Sequence, residues 1–311
     1  MNVLVLGGHG FVGKVVVRNL QAQKHAVTAL SRQDGVDLTK WDDTVKAFQR
    51  VKPDAVVNCA AHVGSLHYVS QYAATVIDDN VQMLLNVFRA TQEIAPKARL
   101  IHPISNCSYP GDANVHAEPH FWDGPVHKSV WSYGNSRRMI AVLSDCYAAQ
   151  YQLNLVNFFA PNAYGPGDYT DPNKTHAVNG MIIRMLQAQA QGDRQFEIWG
   201  TGKPEREWIY VDDLARMLSD AVTFPEPRVS PINIAQNKAY AIRETAELIR
   251  DAMGYKGELV FNTKYQDGAP RKILDSAAFE KAFPAFRFTD FGQGIRTTVD
   301  YYRQALGEKK S

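Results

Sequence analysis

No apolar run in this 311-residue chain comes near the roughly 20 residues needed to cross a bilayer. An excess of one charge sign is missing too: 34 lysines and arginines face 32 aspartates and glutamates, a formal net charge of +2. That balance gives no support to a nucleic-acid or membrane-surface partner, which calls for a large basic excess. Cysteine is scarce. Cys59, Cys107 and Cys146 are odd in number and form no Cys-x-x-Cys pair, which argues against disulfides and a structural zinc and for a reducing compartment. No basic, then apolar, then small-residue leader is visible, since strand-like residues begin at Asn2. Internal repeats, low-complexity tracts and an obvious linker are absent as well. The expectation is a cytoplasmic protein without a nucleic-acid or membrane partner.

What is present is an alternation. Val3–Leu6 is a short apolar run of the kind that forms a buried parallel strand, followed by a glycine-rich turn and a helix from about Phe11 to Gln21. Strand-like runs recur at Val27–Leu30, Ala55–Asn58, Arg99–Ile104 and Leu153–Phe158. Helix-like segments lie near Asp42–Arg50, Ala73–Glu93 and Trp131–Tyr151. Strands alternating with helices predict an α/β fold built on a Rossmann-type, doubly wound parallel sheet. Past Gly165 the regularity weakens and Pro and Gly mark long loops. The expected division is a dinucleotide-binding domain over residues 1–164, with 210–235 returning to it. A smaller α/β C-terminal substrate lobe then takes up most of 165–311.

Gly7, Gly10 and Gly13 sit between a strand and a helix, the context that gives a glycine triplet meaning. Glycine lets the backbone turn sharply and approach a pyrophosphate, whose charge meets the helix N-terminus opened by Phe11 and Val12. The end of the second strand selects the dinucleotide. An acid there suits ribose hydroxyls, whereas Ser31-Arg32 offers a guanidinium fork for a 2′-phosphate, so NADP(H) is expected, with NAD(H) the alternative. Asp37 and Leu38 are expected beside the adenine. Ala60 and Ala61, ending the third strand, are small enough to let the cofactor's middle approach.

Tyr133 and Arg137 lie four apart on a predicted helix and share a face. A cation beside a phenol favours phenolate and suits the tyrosine to acid–base work. Ser105 ends the preceding strand on its carboxyl side, where doubly wound sheets bind ligands.

With these segments on the page the chain resembles the extended short-chain dehydrogenase/reductase superfamily. Pro103–Pro110, Pro161–Pro166, Thr175–Val178, Trp199–Glu207, Val211–Asp213 and Gly268–Asp275 are similar to its GDP-L-fucose synthase branch, the GDP-4-keto-6-deoxymannose epimerase/reductases. The resemblance runs over nearly the whole chain. It implies NADPH-dependent action on a GDP-4-keto-6-deoxy sugar. The C3 and C5 protons, acidified by the C4 carbonyl, would be exchanged by Cys107 and His176, and C4 would then be reduced with Tyr133 as acid and Ser105 holding the oxygen. It further implies that Arg184, Arg206 and Lys272 meet the diphosphate, that Trp199 flanks the nucleotide, that Asn162 bonds the sugar or a phosphate, and that the chain is a homodimer.

One departure stands out: Arg137 occupies the position of the branch's lysine, keeping the charge but redirecting its donors. Three readings follow. One is the full epimerase/reductase; a second is an epimerase-only or reductase-only enzyme on a related GDP-sugar such as a 4-keto-heptose; a third is a dinucleotide-sensing protein without turnover. His116, His120 and His127 invite a metal reading, but their spacings of four and seven fall in a Gly- and Pro-containing stretch without helical support, and no metal site is expected.

Overall fold

The computed structural model describes residues 1–171, 175–265 and 267–307. The first half alternates strictly: β1 (Asn2–Leu6), α1 (Phe11–Ala22), β2 (Ala26–Leu30), α2 (Trp41–Val51) and β3 (Ala55–Asn58). Then come α3 (Leu66–Gln71), α4 (Ala73–Ile94), β4 (Arg99–Ser105), α5 (Trp131–Tyr151) and β5 (Leu155–Ala160). The second half holds β6 (Asn162–Tyr164), α6 (Ala177–Gln191), β7 (Gln195–Trp199), β8 (Glu205–Arg206), β9 (Trp208–Tyr210) and α7 (Val211–Asp220). It closes with β10 (Arg228–Asn233), β11 (Tyr240–Ala241), α8 (Ile242–Met253), β12 (Glu258–Asn262), β13 (Arg271–Lys272), α9 (Ala277–Ala282) and α10 (Phe291–Ala305).

Six strands form one parallel sheet in the order β10-β5-β4-β3-β1-β2. Period-two alternation sends successive side chains to opposite faces, so a strand buried on both sides must be apolar throughout. β1 shows this directly. Val3 and Val5 join the core beneath α1 and α7, with Val15, Leu20, Leu214 and Met217, while Leu4 and Leu6 join the core beneath α2, α4 and α5, with Phe48, Phe88 and Ile140. All four are fully buried, and each such side chain contributes about 1.5–3 kcal/mol of apolar transfer. Strand order reverses at β1, with β2 on one side and β3 on the other, and that switch point opens a crevice at the carboxyl edge.

A third core, with Tyr164, Ile182, Leu186, Trp208, Ile249, Ile295 and Tyr302, holds α6, α8 and α10 together. Short ladders join this part: β7 with β12, β6 with β9, and β8 between β11 and β13. β10 returns to the edge of the main sheet beside β5. Two local features differ from expectation. The strand expected at Leu153 starts at Leu155, because Gln152 closes α5 in the left-handed region (φ 56°) and the chain must first turn back. The short helix α3 was not foreseen; Ser65 starts it by accepting a hydrogen bond from the Tyr68 N–H.

Candidate active site

The glycine turn is held by close approach of backbone to backbone. Gly7 has φ +71°, and a Cβ there would lie 2.8 Å from the Ala60 nitrogen. A Cβ on Gly13 would lie 2.1 Å from the Gly7 carbonyl oxygen, which accepts instead from the Gly10 N–H. Gly8 is equally constrained, by Ala29 of β2. Only this packing lets α1 begin directly at the sheet edge with its free N–H groups at the crevice. Phe11 is buried in the first turn beside half-buried Val12, and the Ala60 N–H donates to the Asn58 side-chain oxygen at 3.2 Å.

Beyond β2, Ser31 caps a single turn that carries Arg32. The Arg32 guanidinium is exposed and lies 3.6 Å from the Asp37 carboxylate and 3.4 Å from Asp79. Asp79 also accepts from His62 Nδ1 at 2.8 Å, and His62 Nε2 sits 2.8 Å from the Tyr68 hydroxyl. Asp37 is bonded to Thr39, and Leu38 is packed into the core with its carbonyl on Asn86. This ion-pair chain was invisible to motif reasoning, because its members are far apart in sequence and share no period.

At the carboxyl end of β4, Ser105 Oγ accepts from the Cys107 N–H at 3.2 Å. From α5, Tyr133 reaches the same place and hydrogen-bonds Ser105. Arg137 is 3% exposed, lies 6.0 Å over the Tyr133 ring, and donates to the Pro103 carbonyl at 3.3 Å. Burial pushes the Tyr133 phenol up; Arg137 and the Ser105 bond pull it down, and burial wins. The expectation that the cation would leave the phenol depressed is therefore corrected: the cation offsets only part of the desolvation. Cys107 shows the opposite balance. Burial acts to raise its thiol, but Lys272, Ser105 and Arg206 together bring it below the ordinary value. Cys59, beside Arg137 but without such partners, is pushed up by burial to about 12.

His176 caps the start of α6, with its ring 5.3 Å from Phe11 of the glycine turn. Its Nδ1 lies 2.9 Å from Asp168, and its backbone N–H donates to the same carboxylate oxygen at 2.8 Å. Asp168 also accepts from Thr175 Oγ1 and Asn179 Nδ2. Burial acts to raise this carboxyl, yet His176 and the other donors hold it below the usual range. Sequence reading missed Asp168. Lys14 of α1 tethers the same loop through the Gly167 carbonyl.

In the C-terminal part, Arg184 lies 5.0 Å over Phe196 and 4.7 Å over Trp199, and Trp199 stacks on Tyr265 at 4.8 Å. Trp199 and Tyr265 are both exposed at 47%, an aromatic pair open to a planar ligand. Arg206 and Lys272 are paired across β8 and β13. Lys272 lies against Cys107, with Nζ 3.3 Å from Sγ. Asn162 opens β6, paired to Trp208. The three histidines of the 113–128 segment part company. His116 is buried and stacks on Tyr109, His120 pairs with Asp123, and His127 bonds Ser129.

The chain matches the NAD dependent epimerase/dehydratase family over residues 3–235. It belongs to that family. GDP-L-fucose synthase 1 of Arabidopsis thaliana is 32% identical over 308 residues, covering 96% of this chain and 92% of the relative, so the GDP-L-fucose synthase branch is shown as well. A GDP-L-fucose synthetase from Naegleria fowleri, solved bound to NADP, superposes with a TM-score of 0.86 at 28% identity, over 99% of this chain and 94% of the other. A GDP-6-OMe-4-keto-L-xylo-heptose reductase from C. jejuni shares the fold, with a TM-score of 0.87 at 23% identity over 97% of each chain.

Proposed function

We propose that the chain is an NADPH-dependent epimerase/reductase acting on a GDP-4-keto-6-deoxy sugar. The observation that carries the reading is the convergence of Ser105, Cys107, Tyr133 and Arg137 at the carboxyl ends of the strands that also present the glycine turn. A dinucleotide fits this chain's residues: Gly7, Gly8 and Gly13 leave a backbone cradle that any Cβ would fill, at the start of α1. Gly10, Phe11, Val12, Ala60 and Ala61 line the same turn, and Ser31, Arg32, Asp37 and Leu38 take the adenosine end. Exposed Arg32 supports NADP(H) over NAD(H), since a 2′-phosphate can draw the guanidinium from Asp37 and Asp79. When bound, the reduced nicotinamide supplies hydride to C4.

The protein's own groups do the proton work. The Cys107 thiolate removes a proton from a carbon acidified by the C4 carbonyl. His176, whose Nδ1 is backed by the Asp168 carboxylate, returns one from the other side. Ser105 holds the carbonyl oxygen, and Tyr133 protonates it as C4 is reduced. Burial suits Tyr133 to that task, because a phenol held above its ordinary value keeps its proton until the alkoxide forms. Arg206 meets the diphosphate, Arg184 and the Trp199–Tyr265 stack receive the nucleotide, and Asn162 bonds the sugar.

The division of labour follows: residues 1–164 with 210–235 bind the dinucleotide, and most of 165–311 binds the nucleotide sugar. A thiol at the centre of the chemistry must stay reduced, which supports a cytoplasmic setting; no helix among the described residues is long and apolar enough to cross a membrane. Ile77 and Leu85 on α4, and Trp131 and Val142 on α5, are exposed apolar residues on two packed helices, a face suited to a second copy of the chain. A mass in solution of two chains checks that homodimer. The test of function is oxidation of NADPH dependent on GDP-4-keto-6-deoxymannose. Loss of nicotinamide absorbance with the sugar and none without it is expected; no loss at any concentration overturns the reductase.

A further inference from the structure

Lys272 brings its amino group inside the protein. It is 7% exposed, on the two-residue strand β13, and among the described residues no carboxylate lies within ion-pair distance of it. A buried ammonium without a counter-charge is costly, so such groups are paired or lose their proton. The acceptor that Lys272 does have is Cys107 Sγ, at 3.3 Å.

The surroundings favour a negative charge on that sulfur. Arg206, paired with Lys272 across the ladder, adds a second cation beside it. Ser105 from β4 and Tyr133 from α5 are the other groups facing the thiol, and neither carries charge at neutral pH with its phenol held high. His116 and His127 face Lys272 from the 113–128 segment. Burial and the two cations hold both below the usual imidazole value, His116 down to about 4, so neither adds positive charge at pH 7. Asp267 faces Arg206 and Asp112 faces His127, so the acidic group that Lys272 itself meets is Cys107.

We propose that Lys272 is a positioning residue that keeps Cys107 as a thiolate through a buried ammonium–thiolate pair, priming the proton-abstracting group before the sugar arrives. The inference rests on the epimerase reading above and deepens it. The primed step balances: the C–H bond next to the carbonyl breaks, an S–H bond forms on Cys107, and the electron pair passes into the enolate whose oxygen Ser105 holds. Lys272 then stands beside a neutral thiol, and its charge is available to the substrate's phosphates.

The experiment is the pH profile of Cys107 alkylation by iodoacetamide, without substrate or cofactor. It is followed by mass spectrometry on the Cys107 peptide so that Cys59 and Cys146 do not contribute. The wild-type midpoint is expected below that of an ordinary thiol. Lys272→Met is expected to raise it by about one pH unit or more, cutting alkylation at neutral pH by about tenfold, and Lys272→Arg to restore most of it. Should Lys272→Met fail to fold by circular dichroism, Lys272→Gln carries the same expectation. A midpoint unchanged in the folded variant overturns the proposal. Because the readout needs no turnover, the two failures separate. An unchanged midpoint in a chain that still exchanges sugar protons rejects Lys272 alone; a shifted midpoint in a chain that never exchanges them rejects the epimerase reading.

Discussion

Arg137 shows how one side chain sets the balance between the two halves of the proposed chemistry. Its guanidinium is buried, committed by one nitrogen to the Pro103 carbonyl, and 6.0 Å over the Tyr133 ring. Arg cannot release its proton in a protein, so it stays a fixed charge against which the phenol titrates. Removing it leaves burial unopposed. Arg137→Met is therefore expected to push Tyr133 further up and slow C4 reduction by about 10²-fold or more, with a much smaller loss of proton exchange at Cys107. Parallel measurement of nicotinamide oxidation and sugar-proton exchange checks this; equal losses in both would show that Arg137 supports the whole site rather than the phenol. The Tyr133–Arg137 pair was legible in sequence because a helix puts residues four apart on one face. The net direction of the phenol's shift was not, since burial is a property of the packed molecule and here outweighs the cation.

At the scale of elements, the loop before α6 depends on one carboxylate. Asp168 collects the His176 N–H and ring nitrogen, Thr175 Oγ1 and Asn179 Nδ2, fastening loop to helix N-terminus. Its folded value lies below that of an unfolded aspartate, so its contribution is present above the unfolded value and is lost as pH falls through the folded one. The wild type is expected to lose thermal stability on acidification below about pH 4, and Asp168→Asn to show less of that loss and a lower melting temperature at neutral pH. Thermal melts across pH check both, and superimposable profiles would count against the assignment. Such fastening is hard to read in advance. The Gly165–Gly167 turn announced a loop, but nothing in the spacing from Asp168 to His176 marks a carboxylate that turns back onto a helix cap. Arg32 with Asp79 and His62, and Lys272 with Cys107, were hidden for the same reason: each contact joins elements that only the fold brings together. By contrast β1, the glycine turn and α1 were legible, because local period and backbone sterics decide them.

For the whole molecule, the sheet's switch point and the returning strand β10 are what let one crevice take both a dinucleotide and a sugar in the proposed function. In the proposed function, cofactor residues come from the loops after β1, β2 and β3, reacting residues from β4 and α5, and nucleotide contacts from β7, β8 and β13. The short ladders β8–β13 and β6–β9 were not legible, being two or three residues long and without a readable period. The central claim is that this crevice exchanges protons at carbon before it reduces the carbonyl. Incubation with GDP-4-keto-6-deoxymannose in deuterated water, with NADPH withheld, isolates that step. The account predicts deuterium at C3 and C5 by NMR, abolished by replacing Cys107 with serine; a sugar that stays unlabelled at both carbons would contradict it.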